Sequence, residues 1–379
     1  MTRFASIAGA LLATTSIATA APLDRSGQSV EDILYADGTY IEFGFSYVWP
    51  DVTGSSTTPL PTPLGVLPAG QDTGEVAESF AVPTLGMKYD VNDRISLAFI
   101  YDQPFGTDID YPDDEAFVGA GTNATLDTQA YTALAKYRFD FGTSVFGGIR
   151  YQTLEADADV PFAGNYSIEA DEDGAVGYVL GVAYERPEIA LRVALTYNSE
   201  IDHSLDTSES VLTPLGPTTF ESVTDVTTPQ SVNLEAQTGV APGTLVFGSI
   251  RWVDYSEFTI SPEVFSSPLV AGRPLADYDN DLWFFNIGVG RAVTERLSVA
   301  GSVEYVTEER NVVSLLSPSD GRISLGLGGT YDITDDIEVG LGVRYSFLGD
   351  ADAGSGDTEL ADFEDNNAVA VGLTLGYSF

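Results

Sequence analysis

The closing segment constrains the chain most. Residues 368–379 read Ala-Val-Ala-Val-Gly-Leu-Thr-Leu-Gly-Tyr-Ser-Phe and end the sequence on an aromatic ring. Val369, Val371, Leu373, Leu375, Tyr377 and Phe379 fall on one face of an extended chain. Ala368, Ala370, Gly372, Thr374, Gly376 and Ser378 fall on the other. A period of two marks a β-strand with one apolar face and one small or polar face. A free apolar edge at a terminus is an aggregation hazard, which argues against an ordinary edge strand. The pattern suits a strand standing between lipid and a hydrated lumen.

The alternation recurs along the sequence. Ile41, Phe43, Phe45, Tyr47 and Trp49 share a face, as do Val176, Tyr178, Leu180, Val182 and Tyr184, and later Ile337, Val339, Leu341, Val343, Tyr345 and Phe347. The opposite faces carry small residues and scattered charges, among them Glu42, Lys136, Arg150, Arg192, Glu235, Glu338 and Arg344. Residues 1–20 read as a secretory leader, with Arg3, an apolar stretch from Phe4 to Ala13, and Ala18-Thr19-Ala20 before a mature N-terminus at Ala21. No other stretch reaches the ~18 to 20 apolar residues that a membrane helix needs. For a secreted chain with greasy period-two strands, the remaining membrane option is a closed barrel.

Connector lengths set the strand number. Short connectors at 90–94, 140–143, 185–188, 240–243, 293–296 and 332–336 alternate with long ones at 51–79, 103–125, 157–172, 203–226, 261–280, 308–320 and 350–366. Six short and seven long connectors imply fourteen antiparallel strands with both ends on the short-turn, periplasmic side. Tyrosines recur at the outer ends of upward strands (Tyr47, Tyr101, Tyr151, Tyr197, Tyr255, Tyr305, Tyr345) and at the inner ends of downward ones (Tyr89, Tyr137, Tyr184, Tyr331, Tyr377), as interfacial belts require. Parity slips around Phe247–Tyr255, where a bulge is expected, and Pro83 interrupts the second strand. Ahead of the first strand, Ser29, Asp32, Val30, Ile33, Leu34 and Gly38 spell a short capped amphipathic helix. A fourteen-stranded barrel is too wide for wall side chains to fill, so residues 21–38 are expected to form a small hatch or plug inside a barrel of residues 39–379.

Three segments carry a family resemblance. Leu23-Asp-Arg-Ser-Gly-Gln-Ser-Val30, Tyr47-Val-Trp-Pro-Asp-Val-Thr-Gly54 and Tyr101-Asp-Gln-Pro-Phe-Gly106 resemble the FadL/TodX family of outer-membrane transporters for long-chain fatty acids and other hydrophobic compounds. The similarity runs through the last strand, with its motifs mostly in the first third. It implies a fourteen-stranded barrel with an N-terminal hatch and hydrophobic sites near the external loops and in the lumen. It also implies an inward kink in the third strand that opens the wall sideways. This chain is shorter than the best-known members, which implies external loops without their large helical protrusion. The closing strand, ending in Phe379, resembles those that bacterial barrel-insertion machinery recognises.

Candidate functional residues follow. Leu23, Val30, Ile33 and Leu34 of the hatch and lumen-facing Ile100, Leu134, Phe146, Val179 and Phe284 are candidate ligand contacts, with packing against the plug as the competing role. Phe105 joins them from the third motif. Arg25 has two roles open: neutralising a carboxylate, or pairing with a lumen acid such as Glu338. Pro83, Pro104 and Gly106 mark a candidate lateral opening, because two missing ladder donors on adjacent strands weaken their seam. Apolar loop segments, including Pro59–Pro68, Val211–Leu215 and Val264–Val270, suit either a lid or a capture groove.

The remaining chemistry is thin. There is no cysteine, and the sole histidine, His203, has no positioned catalytic partner in sequence, so an enzyme is not expected. Asp277, Asp279 and Asp281, or Asp171-Glu172-Asp173, lack calcium-loop spacing and read as solvated acid. No cofactor is expected. The balance of 16 basic and 57 acidic residues, a net charge of −41, disfavours nucleic acid. Burying one methylene is worth about 0.8 kcal/mol, so a dozen approach ~10 kcal/mol and would trap a ligand unless a movable element weakened the site. The sequence thus supports a monomeric, passive outer-membrane channel for hydrophobic small molecules, in contact with membrane lipid and lipopolysaccharide. A general diffusion porin or structural barrel is the alternative.

Overall fold

The computed structural model describes residues 23–379 apart from 37, 63, 64, 269, 309–311 and 357. The expected leader, residues 1–20, and Ala21 lie outside the described residues. Fourteen strands close into one antiparallel barrel: β1 (Tyr40–Asp51), β2 (Phe80–Asn92), β3 (Ile95–Asp102, resumed at Gly106–Asp110), β4 (Asn123–Arg138), β5 (Thr143–Val160), β6 (Tyr166–Arg186), β7 (Leu191–Asn198, resumed at Ile201–Thr213), β8 (Gly216–Thr228, resumed at Ser231–Ala241), β9 (Thr244–Val253), β10 (Leu282–Ala292), β11 (Leu297–Val306), β12 (Arg322–Asp332), β13 (Ile337–Leu348) and β14 (Asn367–Ser378). Each strand pairs with its sequence neighbours, and β14 closes the ring on β1 in register from Tyr40↔Ser378 to Asp51↔Asn367. Closure leaves no backbone edge in hydrocarbon, where an unpaired peptide group costs several kcal/mol.

The faces sort as the alternation requires. Leu341, Leu373, Leu375 and Tyr377 are exposed on the outside, while Ala368, Ala370 and Thr374 are buried on the inside. The tyrosines of both belts lie outward, with one exception. Tyr255 is fully buried in a short 3-10 turn above β9. The slip expected near Phe247 is absent: β9 pairs with β10 without a register shift, and Phe247 turns inward against Gly288.

Two of the expected long loops are strand instead. β5 and β6 run on past the membrane to Val160 and Tyr166, and β7 and β8 meet at a turn ending on Gly216. Stretches 157–172 and 203–226 are therefore mostly wall that projects into the external medium. Other external loops form a small five-stranded sheet from Thr53–Ser56, Asp72–Glu75, Val313–Ser314, Ala351–Ser355 and Thr358–Phe363. It closes over Val52, Val76, Tyr111, Phe117 and Phe363.

The N-terminal helix, α1 (Glu31–Leu34), is one turn long. Ser29 does not cap it as expected, because the helix starts one residue later, with Val30 at the N-cap. The Ser29 hydroxyl accepts the Glu31 N–H at 3.3 Å and donates to Glu235 on β8 at 2.7 Å, so the barrel wall takes the place of the capping partner.

An outward position near mid-strand tests the membrane placement. Leu341→Arg is expected to lower barrel stability by about 2–4 kcal/mol in urea unfolding from lipid vesicles. A loss under ~0.5 kcal/mol would contradict a lipid-facing Leu341.

Candidate functional site

Residues 23–36 run through the lumen and are tied to its wall on several sides. Asp24 pairs with Arg251 on β9, and Arg25 pairs with Asp108 on β3 (2.6 Å) and Asp127 on β4 (3.0 Å). The Gly27 carbonyl accepts from Asn233 (2.9 Å) and Gln28 accepts from Ser231 (3.0 Å), both on β8. Glu31 meets Arg192 on β7 at 2.9 Å, and Tyr35 bonds Ser144 on β5 at 2.6 Å. The carbonyls past α1 face two wall lysines: Lys136 donates to Leu34, and Lys88 donates to Ala36 (2.6 Å) and Gly38 (3.0 Å). Cations placed there complement the negative end of the turn. Arg25 thus takes the ion-pairing role rather than meeting Glu338, whose carboxylate accepts the Tyr40 hydroxyl at 2.8 Å.

This segment divides two spaces. The external one is walled by Leu23, Leu126, Leu154, Leu205, Val226 and Ile260 with small residues between them. Leu275, Ala276 and Tyr278 of the loop after β9 also border it. That loop is fastened by Glu209 on β7, whose carboxylate accepts the Val264 and Phe265 N–H groups at 3.0 Å and the Tyr166 hydroxyl at 2.8 Å. The inner space is lined by Asp24 through Ser29 and by wall charges including Glu42, Arg192, Glu235, Arg251, Glu304 and Arg322. Leu23 borders the first and Asp24 the second, so the partition is one residue thick at that point.

The sequence candidates divide accordingly. Leu23, Phe105 and Phe284 share a cluster with the external walls. Val30, Ile33, Leu34, Ile100, Leu134, Phe146 and Val179 form a separate, inner cluster in which the apolar face of the N-terminal segment meets the wall. Gly86 lacks a side chain where Ile33 presses on β2. Arg25, Ile33, Ile100 and Phe284 also line the inner space, whereas Val30, Leu34, Phe105, Leu134 and Phe146 line neither. Ile168, Leu205, Val226, Leu275 and Tyr278 of the external wall lie in 157–172, 203–226 and 261–280, which look like loop in the sequence. The signal that would have found Leu205 is the short alternation Ile201, His203, Leu205.

Pro83, Pro104 and Gly106 border a break in the wall. The β2–β3 ladder runs from Asn92↔Ile95 up to Leu85↔Tyr101 and stops. It is resumed only beyond the gap, at the bridge Ala77↔Ile109. In between, β2 remains paired with β1, including Phe45↔Pro83. The facing residues of β3 pair with the N-terminal segment instead: Arg25 N–H donates to the Pro104 carbonyl and Gly106 N–H to the Leu23 carbonyl, each at 2.9 Å. Gly106 leaves room for the Arg25 guanidinium, which a side chain there would strike. That guanidinium also lies over the Phe80 ring of β2, 4.5 Å from its centroid, so it stands beside the break.

His203 is no catalytic base. It meets Asp173 (3.2 Å) and Gln152 (3.4 Å), while the hydroxyl of Ser204 donates elsewhere, to Asp225. Among the described residues no group of three His, Asp or Glu side chains is placed to hold a metal.

The sequence pattern of the outer membrane protein transport proteins (OMPP1/FadL/TodX) matches residues 32–379. The chain belongs to this family. It is therefore a transmembrane barrel of the bacterial outer membrane and a transport protein rather than an enzyme. Comparison with curated proteins finds no match. Among solved structures, a Pseudomonas aeruginosa FadL homologue superposes with a TM-score of 0.76 at 12% identity over 99% of this chain and 98% of that one. The toluene transporters TodX of P. putida and TbuX of Ralstonia pickettii each reach 0.65 at 13% identity. The first match covers 91% of both chains, and the second covers 98% of this chain and 97% of TbuX. At such identity these likenesses speak for the fold.

Two outcomes test the geometry. Gly106→Val is expected to displace Arg25 and loosen the N-terminal segment. In this cysteine-free chain, a reporter Ser26→Cys should then react with a maleimide several-fold faster; an unchanged rate would refute the coupling. His203 lies above the outer belt, and burial lowers its pKa although Asp173 opposes the shift. The unfolded state binds a proton below about pH 6.5 more readily than the folded one, so this stability is present above that pH and declines below it. Nicking of the β7–β8 tip by a protease should accelerate at pH 5 relative to pH 8, and His203→Gln should flatten the difference.

Proposed function

We propose that the chain is a passive channel that takes hydrophobic small molecules, fatty acids or hydrocarbons, across the outer membrane. The observation that carries this reading is the apolar external chamber bordered by Leu23, a residue whose own backbone is bonded into a break in the wall. A greasy molecule entering from outside meets that chamber first. It can go no further until the segment bearing Leu23 moves, and moving that segment weakens the site that holds the molecule. Residues 21–38 are accordingly proposed as a hatch and 39–379 as the barrel, with lateral release between β2 and β3 beside Pro83, Pro104 and Gly106.

Family membership supports the transport reading. The solved structures of similar fold include proteins described as toluene transporters and as a monoaromatic hydrocarbon channel. Recognition of Phe379 by the insertion machinery, contact with lipid and lipopolysaccharide, and a monomeric working form complete the proposal.

The decisive measurement is saturable binding of fatty acid and aromatic hydrocarbon by the purified protein, paired with uptake by vesicles that carry it. Saturable binding and uptake are expected, and deletion of residues 21–38 is expected to alter uptake or conductance while leaving a folded barrel. Steady ion conductance without saturable binding would favour the general diffusion porin instead.

A further inference from the structure

We infer that the loop after β9 is the panel through which a hydrophobe enters the external chamber, and that Glu209 is its latch. The inference rests on the reading of the chain as a channel for hydrophobic compounds and adds the route of entry.

Above the outer tyrosine belt the wall is not one continuous ladder. The β8–β9 ladder stops at Ser231↔Val253, while the upper part of β8, Gly216–Thr228, runs on paired with β7. Thr259–Ile260 of the loop lies close to this stretch but pairs with Ala276–Asp277 of the loop itself. The loop thus stands where a strand would, and it lends the chamber Ile260, Leu275, Ala276 and Tyr278. Other parts of the lining are tied more firmly. Leu126 and Leu154 stand in the β4–β5 ladder, Leu23 is bonded to Gly106, and Ser314 pairs with Gly354 in the external sheet.

The loop is held at its base and at its tip. At the base the Tyr255 ring lies 5.0 Å from that of Tyr278 and 6.4 Å from that of Phe258. Between base and tip, the backbone-to-backbone bonds of residues 259–277 return to the loop itself among the described residues. At the tip the Val264 and Phe265 N–H groups both turn to Glu209, and the Phe265 ring lies 4.8 Å from that of Tyr166. Glu209 is fully buried, and its partners are neutral donors, those two N–H groups and the hydroxyls of Tyr166 and Ser222. A buried carboxylate held without a cation depends on every donor it has. When the loop lifts, water takes the place of the two departing donors, so opening leaves no bare buried charge. Such a fastening is firm when shut and reversible when open.

The test pairs Glu209→Gln with two readings on the full mature protein in nonionic detergent. One is deuterium exchange of the stretch Ser261–Ser267, and the other is fluorine magnetic-resonance exchange spectroscopy of p-fluorotoluene. The amide turns an acceptor oxygen into a donor facing two N–H groups, so exchange of the stretch is expected to quicken at least about tenfold. Ligand association and dissociation should both quicken at least about tenfold, with the dissociation constant within about threefold of wild type, because the empty and occupied closed forms lose the same latch. Phe265→Ala, a change confined to the loop, should act in the same direction and keeps the test independent of one variant. Glu221→Gln, at an exposed position on β8, should alter neither reading. Quicker loop exchange with ligand rates within about twofold of wild type would overturn the route of entry while leaving the channel reading intact. Unchanged loop exchange would overturn the latch. A wild-type protein that binds no p-fluorotoluene would remove the channel reading as well.

Discussion

Everything in this molecule follows from pairing β14 with β1. Lipid offers no hydrogen-bond partners, so the ladder must close on itself. The twelve-residue register from Tyr40↔Ser378 to Asp51↔Asn367 is where it does so. Closing fourteen strands leaves a lumen that wall side chains do not fill, and the N-terminal segment occupies it. The ladder relaxes between β2 and β3 only above Tyr101, at the level of the outer tyrosine belt. Water and headgroups are within reach at that level, and the bonds missing from the wall are supplied by Leu23 and Arg25.

The charges are arranged around the same segment. A chain of net charge −41 has few cations to place. Lys88, Lys136, Arg192 and Arg251 all point inward, and each takes a carbonyl or a carboxylate of residues 24–38. The acids are free to face water outside, and the cations hold the interior together.

The membrane-spanning fold was legible because lipid imposes one face and the lumen the other, as in residues 41–49 and 337–347. Beyond the outer belt both faces of a strand can meet water, and the alternation fades. Residues 157–172 are rich in acids and 203–226 in acids and threonine for this reason, and both stretches resemble loops in sequence. With them went Ile168, Leu205 and Val226 of the external chamber's wall. Tyr255 and Phe247 misled in the opposite direction, since an aromatic ring suits a lipid belt and a lumen filling equally. Val30, Ile33 and Leu34 of the N-terminal turn were legible from helical spacing. Their partners, Asp108, Asp127, Lys88 and Lys136, were not, because only the folded barrel brings strands from distant parts of the sequence to one point.

The threading of residues 23–36 through the lumen also orders assembly. Their partners lie on β2 to β5 and β7 to β9, and the cavity that receives them exists only once β14 has met β1. Residues 23–36, made before every strand of the barrel, are therefore the last that can settle. Until that moment their buried charges, Asp24, Arg25 and Glu31, must wait in water, so their docking reports that the wall around them is complete.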